Sequence, residues 1–466
     1  MSQDNSGLTR VLGRWDVVVV AFGAMIGFGW VVRTGEFLEG AGTLGAVLAF
    51  VIGGVIIALV GLTYAELVAA MPKVGGEHNY SLRAMGSRPA FVTSWALVLG
   101  YVTVCSFEAV ALPQTLLYLF PDMLAGRMWS VAEFDVYGTW VVVGVAGAIV
   151  MTVLNYVGVR PAATFQAIAV VILAIVGLGL VTGSFVGGEA GHMEPWFTGG
   201  AAGVIGVLVA TPFFFVGFDV IPQSAEEINV PPKKIGQLLI VSVLLAVAWY
   251  AMIWLTVSSS MSAGDLASAD LASADGMAAL WDSQLMGHVL VIGGIAGILT
   301  SWNGFLIGAS RLVFAMANSG MLPRWFARVH PRFRTPSNAI LFIGGLSMIS
   351  PLFGEATLGW LINAGGLNIV VAFFMVAVSF VVLRVREPEM PRPFRLRGGK
   401  PVGVVAALLA VGLGVLYMPG MPAALVWPYE WIIVGVWWVL GIVFVLRVPS
   451  VRGGPDAEER LLASRS

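Results

Sequence analysis

Long apolar segments separated by short polar connections dominate the chain. About twenty apolar residues are needed for a helix to cross the hydrocarbon core of a bilayer. By that measure the sequence predicts an all-α polytopic membrane protein with twelve transmembrane helices, numbered here helix 1 to helix 12. Their expected bounds are 15–39, 43–70, 90–119, 137–158, 163–185, 201–230, 236–260, 288–317, 337–352, 356–384, 402–419 and 427–446.

Two of these helices are interrupted near their middles. Gly27, Phe28 and Gly29 break helix 1, and the run 213–219 breaks helix 6 around Gly217. Lipid offers no hydrogen-bond partner to free backbone groups, so a break at membrane depth indicates backbone that faces a cavity. Interrupted helices in corresponding positions of two halves indicate a secondary transporter and its binding site. The alternative is that these glycines only permit close helix packing.

Basic residues concentrate in the even-numbered connections between the predicted helices. These connections are 71–89, 159–162, 231–235, 318–336 and 385–401. The opposite side carries Arg127 and acids such as Glu133 and Asp135. Because Lys and Arg mark the cytoplasmic side, both tails, 1–14 and 447–466, are predicted to be cytoplasmic, and the second tail is expected to be mobile. A polar start without a cleavable leader favours the plasma (inner) membrane.

The composition agrees with a membrane protein. Of the 466 residues, 58% are hydrophobic and 11% are charged, whereas a soluble domain carries about 25% charged residues. The net charge of −1 gives no sign of a nucleic-acid partner. The single cysteine, Cys105, lies in an apolar run and excludes an internal disulfide, and the four histidines are scattered. The expected partners are a small-molecule substrate and the lipid bilayer.

Four sequence blocks, each at a defined helix, give the chain a resemblance to a known family. They are GAMIGFG at 23–29; YAEL at 64–67 with Pro72 and GGEHNY at 75–80; GFD at 217–219 with AEE at 225–227 and Pro231; and ASR at 309–311 with AMA at 315–317, Gly320, Leu322 and Pro323. In this order they resemble permeases of the amino acid–polyamine–organocation (APC) superfamily over nearly the whole chain. The resemblance implies the leucine-transporter-type fold, a 5+5 inverted repeat with broken helices 1 and 6.

The resemblance also implies a domain organisation. The first repeat is expected at 15–185 with helices 1–5, and the second at 186–384 with helices 6–10. Helices 11 and 12 and the loop before them then occupy 385–446. The tandem repeat GDLASADLASAD at 264–275 is expected to form a helical or irregular outer loop without an assigned function.

The two breaks suggest a substrate with both a carboxylate and an ammonium group. The outer half of helix 1 begins with free N–H groups that carry partial positive charge, and a carboxylate suits such donors. The helix 6 break exposes carbonyl groups that suit an ammonium group. The backbone candidates for substrate binding are Ile26, Gly27, Phe28, Gly29, Phe214, Phe215 and Val216. Phe213 and Phe218 are expected either to wall this site or to belong to the ordinary core.

Three further side chains are candidates for substrate binding. Tyr101 in helix 3 is placed to hydrogen-bond the carboxylate. Glu108 lies about two turns further out, and a carboxylate at membrane depth is a functional candidate by default. It could bind a cationic side chain, carry a proton, or form an ion pair with Arg33. Asp219 is expected either to bind a substrate amine or to cap the inner half of helix 6.

The resemblance further suggests a gate and an ion site. Arg33 matches an outer-gate arginine, with Glu108 or Glu355 as its partner and Glu36 as a local alternative. The family's sodium site maps onto the carbonyl groups of Gly23, Ile26 and Gly297 and the hydroxyl groups of Thr300 and Ser301. These hydroxyl groups could instead bond back to preceding carbonyls of their own helix. Helix 5 contains no lysine at 164–174, which favours sodium over the lysine-based proton scheme. Na⁺ is the coupling ion expected, and no other cofactor.

The sequence therefore predicts a permease, not an enzyme, that imports an amino acid by alternating access with sodium coupling. The alternative is proton-coupled or exchange transport of a cationic amino acid, polyamine or ethanolamine-like amine. An enzyme would need a nucleophile–base pair or a metal set at membrane depth, and the sequence shows none. The short tails leave no signalling domain, which disfavours a receptor. The oligomeric state is not predicted.

Overall fold

Helices dominate the computed structural model, which describes residues 8, 10–132 and 134–464. The α-helices are α1 Arg14–Met25, α2 Gly29–Val32, α3 Thr34–Ala41, α4 Thr43–Ala70, α5 Glu77–Met85, α6 Ser87–Leu119, α7 Gly138–Val157, α8 Val159–Gly187, α9 Gly200–Leu208, α10 Thr211–Phe215, α11 Val220–Gln223, α12 Pro232–Ser258, α13 Ala263–Ser268, α14 Ala272–Leu280, α15 Gln284–Asn318, α16 Ser337–Ser347, α17 Thr357–Arg386, α18 Gly399–Val415, α19 Tyr429–Val445 and α20 Ala457–Ala463. Short 3₁₀ turns lie at Pro121–Met123, Ala190–Met193, Ala225–Glu227, Arg324–Ala327 and Ser350–Phe353.

The lengths and apolar character of the helices make this a multi-pass membrane protein. In the described parts of the chain, eight helical segments are long and apolar enough to cross a membrane: α4, α6, α7, α8, α9 to α11 taken together, α12, α15 and α17. Shorter apolar helices cover Ser337–Phe353, α18 and α19. The predicted bounds lie close to the observed ones because many of the apolar runs end near a glycine, a proline or a charged residue. The bounds of α4 agree with the prediction at both ends.

One loop departs from the all-α prediction. Between α6 and α7 the chain forms an antiparallel hairpin of β1 Arg127–Val131 and β2 Phe134–Tyr137. The Arg127 guanidinium lies 2.8 Å from the Asp135 carboxylate and ties the two strands together. The strands are rich in aromatic and β-branched residues, which favour extended backbone, but they are too short to stand out beside the long helices. Glu133, an acid assigned to the outer side, lies outside the described residues.

The helices differ strongly in how much of their surface the protein covers. Of the most apolar stretch of α6, 94% is buried, against 33% of the corresponding stretch of α7. A helix buried on all sides belongs to the centre of the bundle, and a half-exposed apolar helix faces lipid. The centre therefore contains α6 and α15, which pack against each other, and α15 also packs against α1 and α11 of the two interrupted helices.

The described part of the C-terminal tail packs against the rest of the protein, and its expected mobility stays a prediction. Beyond α19, the Ser87 hydroxyl donates a hydrogen bond to the Pro449 carbonyl over 2.5 Å. Short helix α20 then buries Ala457 and Leu461, which lie on one of its faces. The apolar face of this short helix explains why a segment with many charged residues docks. Residues 1–7 of the N-terminal tail, Thr9 and the last two residues of the chain lie outside the described part.

Candidate functional site

The two predicted interruptions are present, and they meet at the centre of the bundle. Helix α1 ends at Met25 and α2 begins at Gly29, while α10 ends at Phe215 and α11 begins at Val220. Gly217 adopts a φ of 130° in the second break. A Cβ at Gly217 would lie 2.8 Å from the Met25 nitrogen. Only glycine fits there, so close packing and an interrupted backbone occur together at this point.

One tyrosine joins the two breaks. The Tyr250 hydroxyl, on α12, donates a hydrogen bond to the Met25 carbonyl over 2.7 Å and lies 3.3 Å from the Phe214 carbonyl. Both carbonyls lie at or next to a helix end and lack an intrahelical partner of the usual kind. Tyr250 is 1% exposed, so bulk water does not replace its hydroxyl group as the hydrogen-bond partner of these carbonyls. The side chain therefore fixes the position of one break relative to the other.

A small cavity lies beside these breaks. Its volume is about 20 Å³, which is room for about one water molecule. A solute of amino acid size enters only if the surrounding helices or side chains move, so this conformation is closed around its site. The lining residues are Ala24, Met25, Gly27, Phe28, Gly29, Val104, Phe107, Glu108, Phe213, Phe214, Tyr250, Ser301 and Phe305.

Glu108 is the charged residue of the cavity lining. It is 1% exposed, and its carboxylate contacts the Ser301 hydroxyl and the backbone N–H of Phe28. A Cβ at Gly27 would collide with the Glu108 Oε1 atom, so the absence of a side chain at Gly27 lets the carboxylate reach the backbone of the break. The second oxygen, Oε2, is buried without a hydrogen-bond partner.

The structure separates the predicted substrate residues into two groups. Those that line the cavity are Gly27, Phe28, Gly29, Glu108 and Phe214. Those outside the lining are Ile26, Tyr101, Phe215, Val216, Phe218 and Asp219. Phe215 packs edge-on against Tyr250 with ring centroids 5.4 Å apart. Phe218 packs against Tyr64 at 5.2 Å and Phe373 at 5.5 Å, so it contributes to the packing between helices.

Asp219 stabilises the second break through a hydrogen bond within the same segment. Its Oδ1 atom accepts a hydrogen bond of 2.8 Å from the N–H of Gly217. It precedes α11, as expected for a cap, yet its side chain accepts no hydrogen bond from the first turn of that helix. The other carboxylate oxygen is buried and unpartnered, and the Tyr101 hydroxyl faces this carboxylate without a hydrogen bond of good geometry.

A second buried acid lies next to Asp219. Glu77, at the start of α5, accepts a hydrogen bond from the Gln223 side-chain amide. Its other oxygen has no hydrogen-bond partner, and neither do the nearby hydroxyl groups of Tyr64 and Tyr80. Burial, and then the charge of Asp219, raise the pKa of Glu77 well above its ordinary value. The charges of these two carboxylates thus interact in a region where several polar atoms lack hydrogen-bond partners.

The five residues assigned to sodium lie where the broken helix meets α15. A Cβ at Gly297 would lie 3.1 Å from the Ile26 carbonyl oxygen. The Thr300 hydroxyl donates to the Gly297 carbonyl over 2.9 Å, the local bond that the sequence left open as an alternative. The Gln166 amide donates to the Thr300 carbonyl over 3.0 Å, and a Cβ at Gly23 would lie 2.6 Å from that amide nitrogen. Ser301 faces Glu108.

The arginine predicted for the outer gate, Arg33, pairs with its local alternative, Glu36. Arg33 pairs with Glu36, with distances of 2.6 Å and 2.8 Å between their nitrogen and oxygen atoms. In the described residues it forms no ion pair with Glu108 or Glu355. Burial raises the pKa of Glu355 above its ordinary value. The spacing of three residues along one helix explains the preference, since Arg33 and Glu36 lie on the same face.

The tandem repeat at 264–275 covers the predicted outer side of the site. It forms α13 and the start of α14, as a helical outer loop was expected to do. The Ser273 hydroxyl donates to the Trp30 carbonyl over 2.7 Å and lies 3.0 Å from the Thr34 hydroxyl. Leu266 and Ala274 are buried. The segment is therefore part of the packing above the first break.

Ion pairs lie on the predicted inner side. The Arg311 guanidinium contacts both oxygens of Glu227 at 3.1 Å, and both side chains are buried. Glu66 takes Arg384 and Arg392 as partners. Breaking one partner of such a buried pair leaves an uncompensated charge, so these contacts stabilise the packing between the segments that they join.

Comparison with known proteins agrees with this architecture. The family model described as amino acid permease matches residues 12–446. The chain belongs to the amino acid permease family. This permease is 27% identical over 419 residues to the branched-chain amino acid permease BcaP of Bacillus subtilis, covering 87% of this chain and 88% of BcaP. It is 27% identical over 451 residues to the methylthioribose transporter of the same organism, covering 94% and 93% of the two chains. Mouse cationic amino acid transporter 4 is 29% identical over 416 residues, covering 84% of this chain and 62% of that protein.

Sequence reasoning missed several residues of the cavity lining. The missed lining residues are Tyr250, Phe107 and Phe305. Each belongs to a helix whose apolar pattern does not show which face points inward. Tyr250 contacts residues 225 and 36 positions away in the chain. The available signal was weak: Tyr250 is a hydroxyl-bearing residue at membrane depth, where a partner is required.

Proposed function

We propose that this permease moves a small solute with an amino group, in the first place an amino acid, by alternating access. The observation that carries the proposal is the meeting of two interrupted helices at a small cavity that contains Glu108 and is bridged by Tyr250. Interrupted helices around a site at membrane depth are how many transporters bind solutes. Two of the relatives are named for amino acids and support this substrate class.

The proposed architecture has twelve crossings. The eight long helical segments, the three shorter apolar helices and the broken segment α1 to α3 supply them. The breaks then fall in the first helix of each half, at 15–185 and 186–384, as an inverted 5+5 repeat of the leucine-transporter type requires. The region 385–446 adds two helices. The basic connections support cytoplasmic termini in a plasma membrane.

Sodium coupling is the first proposal for the driving ion. The carbonyl groups of Ile26 and Gly297 and the hydroxyl of Thr300 lie together between α1 and α15. Uncharged oxygens of this kind suit a hard monovalent cation. The Gln166 amide, which places N–H donors beside Gly23, is the feature that a sodium ion would have to displace or share.

Proton coupling is the second candidate, and the pair Glu77–Asp219 favours it. Each carboxylate has one oxygen held by a donor and one oxygen without a partner. Two carboxylates in one buried place cannot both ionise easily, and sharing one proton relieves the repulsion. The pair lies next to the helix 6 break, so its charge would respond to movement of that segment.

Uptake into proteoliposomes tests both the function and its driving ion. Labelled amino acids and amines are offered under an imposed sodium gradient and then under a proton gradient. Sodium coupling predicts accumulation with inward sodium, lost in the variant Thr300→Ala with Ser301→Ala. Proton coupling predicts accumulation with inward protons, lost in Glu77→Gln. If well-folded protein takes up no member of the panel under either gradient or in exchange, the proposed function is wrong.

A further inference from the structure

We propose that a groove at the predicted cytoplasmic end of the bundle binds the phosphate headgroup of an anionic phospholipid. The groove, called here the tail groove, lies between residues 317–327 at the end of α15, Phe444 and Arg447 at the end of α19, and Leu462 of α20. Its volume is about 780 Å³, within the range of about 300–1,000 Å³ that is usual for ligand sites. It shares no residue with the central cavity, so the inference goes beyond the proposed transport function.

The floor of the tail groove is formed by the way in which α15 ends. Gly320 adopts a φ of 79°, and the Met321 N–H donates a hydrogen bond to the Met316 carbonyl over 2.8 Å. This is the Schellman arrangement, in which a left-handed glycine reverses the chain after a helix. Met321 and Leu322, which follow the glycine, line the groove and are largely buried. The floor is therefore apolar, and backbone hydrogen bonds hold it in place.

Two arginines from different elements line the tail groove. Arg324 begins a short 3₁₀ turn, and the Asn338 side-chain amide donates to the Trp325 carbonyl over 2.8 Å, which ties that turn to α16. Arg447 follows directly after the end of α19. Both arginines are exposed, and the described residues that line this groove include no acid. Because arginine stays protonated and its guanidinium matches a phosphate, the groove complements an anionic headgroup.

The surroundings of the arginines favour a lipid over a soluble phosphate. Trp325 and Leu446, the chain neighbours of the two arginines, are 56% and 74% exposed. Tryptophan is enriched where lipid headgroups meet the acyl chains, and exposed leucine gains from contact with those chains. The groove also lies at the end of α15, one of the helices that can cross a membrane. Basic pockets at the cytoplasmic ends of such helices bind anionic headgroups.

The C-terminal tail completes the tail groove. Leu462 lines it and follows Leu461, which is buried against the rest of the protein. The Lys73 ammonium lies 3.0 Å from the Glu458 carboxylate and holds the same short helix from its other side chains. A lipid in this groove would therefore contact the end of α15, the end of α19 and the tail together.

Lipid binding to the purified full-length permease in an uncharged detergent tests the inference. Dioctanoyl phosphatidylglycerol, dioctanoyl phosphatidylcholine and glycerol 3-phosphate are titrated in turn, and bound molecules are counted by native mass spectrometry. The two lipids have the same acyl chains and differ in net charge, while glycerol 3-phosphate keeps the phosphate without the chains. The tightest site should bind phosphatidylglycerol at least about tenfold more tightly than either other compound.

Matched variants separate the tail groove from the general positive charge of this side. Arg324→Gln with Arg447→Gln should weaken phosphatidylglycerol binding by about 30-fold, because each arginine near an anionic headgroup contributes about fivefold. Arg395→Gln with Arg397→Gln removes two exposed arginines from another connection on the same side and should leave binding unchanged. Leu462→Asp, at an exposed position of the groove, should weaken phosphatidylglycerol binding by at least about fivefold, because it adds a like charge.

The results support or overturn the inference without reference to transport. A preference for phosphatidylglycerol that only the groove variants lose supports it. Equal binding of the two lipids, unchanged binding in the double groove variant, or an equal loss in the control pair overturns it. Glycerol 3-phosphate that binds as tightly as phosphatidylglycerol would indicate a site for soluble phosphates and overturns the lipid assignment. If the double groove variant is not monodisperse, Leu462→Asp decides: a loss of phosphatidylglycerol binding supports the inference, and no loss overturns it.

Discussion

Replacing Gly27 by alanine should damage solute binding much more than it damages folding. The new Cβ would collide with the Glu108 Oε1 atom and would lie 3.0 Å from the Ser301 hydroxyl oxygen. The first of these is the far end of a flexible side chain, which can turn away at modest cost. We therefore expect a loss of about 1 kcal/mol or less in stability, at the lower end of the range for added methyl groups in a packed interior.

The effect on binding is expected to be larger because Glu108 must leave its place to make room. Its carboxylate would lose its contacts with the Phe28 N–H and the Ser301 hydroxyl, and the cavity would lose volume. A displacement of the binding group by about 1 Å at such a site costs about 100-fold in activity. Gly27→Ala should therefore lower uptake by about that factor in proteoliposomes, while its melting temperature in detergent stays close to that of the wild type.

Two matched glycine substitutions serve as controls. A Cβ at Gly206 in α9 would meet no atom within 4 Å, so Gly206→Ala should leave both uptake and melting temperature unchanged. A Cβ at Gly23 would lie 2.6 Å from the Gln166 amide and 2.8 Å from a Val170 methyl group. These atoms are held in the packed interior, so Gly23→Ala should lower the melting temperature more than Gly27→Ala does. Wild-type uptake by Gly27→Ala would refute the assignment of the Gly27–Glu108 contact to the binding site.

Three further predictions concern stability. Burial lowers the pKa of His78 to about 4 from 6.5. The free energy of unfolding should therefore be highest above pH 6.5 and should fall by about 3 kcal/mol in total as the pH drops from 6.5 toward 4. His78→Gln should lose less of this free energy between pH 7 and pH 5. Arg311→Met should cost about 3–5 kcal/mol by leaving Glu227 buried and unpaired, seen as a lower melting temperature. Tyr250→Phe should cost about 1–3 kcal/mol because the Met25 carbonyl loses its donor.

Each of these has a result that would contradict it. An equal acid loss in wild type and His78→Gln would show that His78 does not stay neutral in the folded protein. If the double variant Arg311→Met with Glu227→Leu is no more stable than Arg311→Met alone, the unpaired carboxylate is not the source of the loss. An unchanged melting temperature in Tyr250→Phe would mean that the Met25 carbonyl is satisfied in another way.

Features that depend on the length of an apolar run could be predicted from the sequence, and features that depend on the rotation of a helix could not. The span 43–70 was placed to the residue, because such a run must end where the membrane ends. The break at Gly27 and Gly29 could also be predicted, because two glycines on either side of one residue are unusual in an apolar helix. A uniformly apolar helix does not show which of its faces points inward, so Tyr250 remained hidden.

Local and distant partners compete for the same side chain, and the sequence alone did not decide between them. The sequence left three acidic partners open for Arg33: Glu108, Glu355 and Glu36. Arg33 pairs with Glu36, which is one helical turn away. Glu66 pairs with Arg384 and Arg392, which lie far from it along the chain. Such pairs join segments about 320 positions apart, and only the packing of the whole bundle brings them together.

Solute counterflow with purified protein tests the central claim most directly, because it needs no ion gradient. Liposomes that contain the permease are loaded with unlabelled leucine, and the entry of labelled leucine is followed. The account predicts accumulation by the wild type and a loss of that accumulation in Glu108→Gln, while Glu39→Gln, at an exposed position in the same half of the protein, behaves as the wild type. Accumulation that is equal in wild type and Glu108→Gln would contradict a binding site built around Glu108.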